Sequence, residues 1–207
     1  VFEPNRPDFR QVPRPAFGRA AQHLEAPAPV STKAARRYQR AAQAAAELLP
    51  EVPAVGESHH CLMTGFYDLM QVISATLARL PTCSHLRIAT LCYSKRNTAE
   101  ILSILDQRRG AGFAFTMLVS DFFADHNKDI YERFRDELAE HPGAKIAAAR
   151  SHCKVVAFDT GAGDGLVFEG SANLRTNRNR EQLTVVRDRV LHDFHAGWID
   201  QLVRGST

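Results

Sequence analysis

From residue 62 onward the apolar residues change rhythm repeatedly, and that alternation limits the possible fold more than any other feature of the chain. Phe66, Leu69, Met70, Ile73 and Leu77 recur at helical spacing, which predicts a helix over about 65–80. Leu86–Cys92 is a β-rich run, and Ile101, Ile104 and Leu105 form the inward side of a helix over about 97–109. Phe113–Val119 reads as the next strand and Asp125–Glu140 as the next long helix. Lys145–Ala149, Lys154–Phe158, Leu166–Glu169 and Leu183–Val186 follow as short strands. Residues 190–203, with the sole tryptophan Trp198, close on a helix. Strands alternating with helices imply an α/β fold. No internal repeat is visible.

The first fifty residues read differently. Pro4, Pro7, Pro13, Pro15, Pro27 and Pro29 exclude a single helix or a sheet interior there, so residues 1–30 are expected to form an extended arm. Ser31 is a candidate N-cap for a helix over 32–49. Lys33, Arg36, Arg37 and Arg40 make that helix basic, either as a nucleic-acid contact or as the solvated face of a packed helix. The expected division is therefore a Pro-rich arm and basic helix over 1–50, and an α/β domain over 51–207.

Composition narrows the class. With 44% hydrophobic and 24% charged residues, the chain can bury a sizeable core, which excludes disorder throughout. Its longest apolar runs fall far short of a membrane span, and no leader marks it for secretion, so no stable membrane association is expected. Cys61, Cys83, Cys92 and Cys153 include no CxxC pair, which fits reduced thiols and a cytoplasmic location. His59, His60, Cys61, Cys83 and His85 lack the tight ligand pairs of a structural zinc site, and the thiols read better as small buried hydrophobes. Asp121, Asp125, His126 and Asp129 could suggest a metal cluster. Asp121 and Asp125 are more simply helix N-caps, so neither metal nor cofactor is expected.

The chemistry concentrates in His152–Cys153–Lys154, Asp159 and Gly170–Ser171–Ala172–Asn173. On a strand, His152 and Lys154 would share one face and Cys153 the other. The turn Gly161–Gly165 lacks the Lys-Ser/Thr ending of a phosphate-binding P-loop and reads as a hairpin. It would return the chain so that Ser171 and Asn173 meet His152 and Lys154 at adjacent strand ends. An imidazole, an ammonium, a hydroxyl and an amide gathered there are the parts of a phosphate site.

His-x-Lys-x4-Asp followed by Gly-Ser-x-Asn resembles the HKD motif of the phospholipase D superfamily. Asn179–Arg180–Glu181 is similar to the Asn-x-Glu that trails it in many members. The interval from Asp159 to Gly170 is longer than usual, and the Gly-rich turn absorbs the excess. The likeness spans residues about 60–205; residues 1–50 have no recognised counterpart. It implies a phospholipase D-like mixed sheet flanked by helices, with the extended arm and basic helix preceding it.

The resemblance also implies roles. His152 would attack phosphorus to give a phosphohistidine, while Lys154, Asn173 and Ser171 hold the non-bridging oxygens. Glu181 would accept a hydrogen bond from the other ring nitrogen of His152. Asp159 would be a buried structural acceptor, and Gly170 part of the turn. One motif is half a site in this family, because a second histidine must protonate the leaving oxygen. His126 lacks a following Gly-Ser-x-Asn, and His192 and His195 lie on the last helix, so a homodimer pairing two copies of His152 is implied.

Arg175, Arg178 and Arg180 follow Asn173 and are expected to rim the site, where they suit a polyanion. A net charge of +3 is compatible with such a partner. Small single-motif members resemble bacterial endonucleases, which implies a metal-independent nuclease or phosphodiesterase acting on DNA or RNA. The alternatives are a phospholipase or phosphatidyl transferase, and a non-catalytic nucleic-acid-binding or assembly subunit of the same fold.

Overall fold

Two parallel β-α-β crossovers and an antiparallel meander share one sheet. A computed structural model describes residues 33–175 and 178–206. In chain order the elements are α1 (Lys33–Leu48), β1 (Ser58–Met63), α2 (Leu69–Arg79), β2 (His85–Thr90) and α3 (Lys95–Gln107). They continue with β3 (Ala114–Ser120), α4 (Asp121–His126), α5 (Lys128–Leu138) and β4 (Ala144–Ala149). The last are β5 (Val155–Asp159), β6 (Gly165–Gly170), β7 (Glu181–Arg187) and α6 (Arg189–Gly205). The sheet order is β1-β7-β6-β5-β2-β3-β4, with β2, β3 and β4 parallel and the other pairs antiparallel. This is the α/β architecture expected from the alternating rhythm, and its mixed sheet flanked by helices is the one that the motif resemblance implied.

Both faces of the sheet are covered, which is why its central strands are apolar almost without interruption. Leu86, Ile88, Phe115, Met117, Val156, Phe158, Leu166 and Phe168 pack in the larger core, with residues of α2, α3 and α5. The intervening Ala89, Leu118, Val155 and Val167 meet Ile199 and Val203 of α6 in a second core. Helix starts follow local chemistry. Asp68 with Gln71, and Ser94 with Asn97, form capping boxes for α2 and α3, and the Asp188 side chain caps α6.

Several expectations need correction. Phe66 lies outside α2 and is half exposed, because the Asp68 cap starts the helix after it. The long helix over Asp125–Glu140 is two helices, parted at Asn127 with φ −129° and ψ 45°. There the Asn127 side-chain amide donates to the Phe123 carbonyl (3.3 Å), competing with the helical pattern. Asp121 opens α4 from inside its first turn, and Asp125 lies within α4, so neither is an N-cap. Strand β1 carries His59, His60 and Cys61 and pairs with β7. Its hydrogen-bonding edge was hidden in the sequence by polar residues.

The basic helix segment packs with the sheet-bearing part of the chain. Ala41, Ala45 and Leu49 of the basic helix segment join the larger core, and the compact unit starts at Lys33. Arg79 donates to the carbonyls of Ala46 (3.2 Å) and Pro50 (3.2 Å), tying α1 to α2. The arm over residues 1–30 and the Ser31 cap lie outside the described residues. Among the described residues no helix is long and apolar enough to cross a membrane.

At the start of β2, His85 Nε2 lies 2.9 Å from Thr116 Oγ1. Burial, and then the neighbouring Arg87 charge, lower its pKa from 6.5 to about 4. The unfolded chain therefore takes up this proton at a higher pH than the folded one, and stability falls as pH drops from 6.5 toward 4. Urea denaturation at pH 7 and pH 5 should show that loss in the wild type, and a smaller one in His85→Gln.

Candidate active site

His152 and Lys154 do not stand on a strand. β5 begins at Val155, so His152, Cys153 and Lys154 form an irregular entry to it, and the expected alternation of faces does not apply. His152 and Lys154 are nonetheless together. The Lys154 ammonium donates to the His152 carbonyl oxygen (2.8 Å) and lies 3.1 Å from His152 Nδ1. An ammonium can only donate, so Nδ1 accepts and a neutral ring carries its proton on Nε2. Cys153 between them is exposed, contrary to the expectation of buried thiols.

The neighbouring strand delivers the second half of the motif. Val155 of β5 pairs with Glu169 of β6, so the start of one strand lies beside the end of the other. Gly170 sits so close to β7 that a Cβ there would collide with the Gln182 carbonyl oxygen, which leaves glycine as the residue that fits. Ser171 turns its hydroxyl onto the Glu181 carboxylate and accepts from the Gln182 N–H (3.1 Å). Glu181 is thus paired with Ser171, while the His152 ring is paired with Lys154, and the expected Glu181–His152 bond is not made. Asn173 reaches across to the end of β2, where its Oδ1 accepts from the Leu91 N–H (3.2 Å) and the Thr90 hydroxyl (3.4 Å).

Leu91 links the two halves. Besides bonding Asn173, it lines an open groove with Ser120, Asp121, Phe122, Arg150, Ser151 and His152. That groove lies beyond the C-terminal ends of the parallel strands β2, β3 and β4, where open α/β sheets present their crevice. A smaller recess is lined by residues including Met63, Tyr67, Asn173, Arg175 and Glu181. Burial pushes the Cys92 thiol up, while the Arg175 and Lys154 charges pull it back, so both cations act on the end of β2. Arg175, Arg178 and Arg180 are all exposed. Arg150, Phe122 and Ser120 escaped the sequence reading. Their signal was positional, since each closes or follows a parallel strand.

Other candidates lie elsewhere. Asp159 ends β5, roughly 16 Å of extended chain from Lys154 at about 3.3 Å per residue. It is half-buried rather than buried, and its Oδ1 accepts from the Gly161 N–H (3.3 Å) to shape the hairpin. His192 and His195 are buried on the inner face of α6, where His195 Nε2 lies 3.0 Å from Glu169 Oε1. The residues weighed for zinc are split between β1 and the start of β2, four strand spacings or roughly 19 Å apart. Among the described residues no group of three or more His, Cys, Asp or Glu side chains could hold a metal ion.

No protein-family model and no curated protein matches the sequence. Solved structures do. Polyphosphate kinase from Porphyromonas gingivalis is similar at TM-score 0.51 and 17% identity, over 78% of this chain and 29% of that one. Phosphatidylserine synthase from Haemophilus influenzae gives 0.47 and 14%, over 70% of this chain and 37% of that one. Yeast tyrosyl-DNA phosphodiesterase gives 0.30 and 12%, over 50% and 25%. The chain thus spans well under half the length of these structures. The first likeness is one of fold, and it agrees with the phospholipase D-like architecture that the motif implied.

Asn173 offers a test of how the site is held. Asn173→Ala removes the acceptor for the Leu91 N–H and should lower stability by about 1–3 kcal/mol. Asn173→Asp keeps an acceptor oxygen and should cost clearly less. Denaturation midpoints of the two variants check this order.

Proposed function

We propose that the chain is a metal-independent phosphodiesterase that cleaves DNA or RNA through a phosphohistidine, at a site shared by two subunits. The observation that carries this reading is the contact of Lys154 with His152 beside a groove that also contains Arg150, with Asn173 anchored behind it through Leu91. In this reading a nucleophile and its neighbouring cation act on a phosphate to which the Asn173 amide also donates.

In the resting site Lys154 occupies His152 Nδ1. A phosphodiester drawing that ammonium to its own oxygens frees Nδ1 for the ring proton, and Nε2 then offers its lone pair to phosphorus. The Ser171 hydroxyl, turning to a phosphate oxygen, would release Glu181 to accept the Nδ1 proton. Attack forms the N–P bond and breaks the bond from phosphorus to the leaving oxygen, which takes a proton from a second imidazole. That imidazole then removes a proton from the water that attacks phosphorus and releases His152. The burial of His192 and His195 favours a second copy of His152 for this role. The Lys154 and Asn173 donors oppose the charge that builds on the non-bridging oxygens, so no divalent ion is required. The exposed Arg175, Arg178 and Arg180, and the exposed Lys33, Arg36, Arg37 and Arg40 of α1, suit a polyanionic strand.

Cleavage of labelled oligonucleotides should persist in EDTA and disappear in His152→Ala. Lys154→Ala should weaken phosphate binding and lose about 10²–10³ in rate. Dependence on added magnesium, or full activity of His152→Ala, would refute the mechanism. A separate test addresses the shared site. Mixing wild type with excess His152→Ala should give heterodimers with strongly reduced turnover, whereas a fully active monomer in light scattering would exclude sharing.

A further inference from the structure

We infer that the Phe122 ring, backed by His126, is a stacking platform for a base of a single-stranded nucleic acid lying in the His152 groove. This rests on the reading of that groove as a nucleic-acid site and names the form of its substrate. Phe122 is 63% exposed, while the adjacent Phe123 is buried against Tyr93 with ring centroids 4.6 Å apart. The two phenylalanines therefore serve different ends, and only one contributes to the core.

The exposed ring is also held in place. The Phe122 N–H donates to Asp121 Oδ1 (2.7 Å), and His126 Nδ1 lies 2.8 Å from the Phe122 carbonyl oxygen. A carbonyl can only accept, so His126 carries a proton on Nδ1. The two rings stack at 4.0 Å between centroids with 29° between their planes. An aromatic face fixed beforehand loses little freedom when a base settles on it.

The groove supplies matching chemistry on either side. His152 lines it together with Phe122, so a nucleotide on the ring is continuous with the scissile position. Arg150, exposed on the same lining, can meet a backbone phosphate. Asp121 opposes phosphate but accepts from the amino groups of a base, which favours bases on the α4 side. A base within a duplex keeps both faces stacked, so the platform selects an unpaired strand.

The test uses the whole chain carrying His152→Ala, so that substrate survives. One probe is a single-stranded oligonucleotide with a fluorescent 2-aminopurine, and the other is the same backbone with abasic sites throughout. Binding should quench the 2-aminopurine, and Phe122→Ala should abolish the quench and weaken binding about 5- to 150-fold. Phe122→Trp should restore both. Abasic binding should stay unchanged in Phe122→Ala. Equal effects on both probes, no effect on either, or failure of both probes to bind would overturn the platform. Phe122-dependent quenching without any cleavage by the wild type would instead leave the platform standing and remove the phosphodiesterase reading.

Discussion

The register of the β5–β6–β7 meander is the constraint on which the site depends. Val155 faces Glu169, and Gly170 faces Leu183. These two pairings bring Lys154, Ser171 and Glu181 to one end of the sheet although Ser171 comes 17 residues after Lys154 and Glu181 10 residues after Ser171. A slip of one residue would turn each strand's side chains to the opposite face and exchange the contents of the two cores. The close approach of Gly170 to the Gln182 carbonyl allows β6 and β7 to remain paired to the edge of the site. It is there that the Ser171 hydroxyl meets the Glu181 carboxylate.

How much of this was legible depended on whether the signal was local. The apolar runs of β2, β3, β5 and β6 announce buried strands because both faces of the sheet are covered. The hairpin at Gly161–Gly165 was equally readable from its glycines, of which Gly161 and Gly163 adopt positive φ. Less legible was where β5 starts. His152 and Lys154 continue an alternating pattern, yet the Lys154 ammonium folds back onto the His152 carbonyl, and the ladder begins one residue later. The break between α4 and α5 was hidden because apolar spacing carries across Asn127 while the backbone does not. The partners of Asn173 and Glu181 come from distant segments or compete for the same group, so no spacing rule reveals them.

The two ends of the sheet differ in their cations, although the buried Asp68, paired with Arg96, also lines the recess beside Asn173. At the end away from the groove, charges are paired and partly buried. Arg187 bonds Asp164 (2.6 Å) at the β5–β6 hairpin, and Arg87 forks onto Asp200 of α6 (3.0 Å on each oxygen). Such pairs fix geometry, because removing one partner strands a charge with little water. At the groove end the cations Arg150, Arg175, Arg178 and Arg180 are exposed. Lys154 there is held by a carbonyl and an imidazole, both neutral acceptors. An ammonium held by neutral groups keeps its full charge for an incoming anion, whereas a carboxylate partner would have cancelled it.

The same separation explains how the motif tolerates its long middle interval. The extra residues between Asp159 and Gly170 form the hairpin at the far end of β5 and β6, a strand length from His152. There Asp159 accepts from the Gly161 N–H, and the Thr160 hydroxyl bonds the Asp164 side chain. A Cβ at Gly161 would strike the Thr82 carbonyl, so the turn is packed against the chain entering β2 rather than projecting freely. Because β5 and β6 stay in register from Asp159–Gly165 to Val155–Glu169, the turn sets the pairing without reaching the site. Asp159 is thus tied to the motif by the strand it terminates, as the residue that shapes the return of the chain. The groups that can meet a phosphate lie at the other end of that strand.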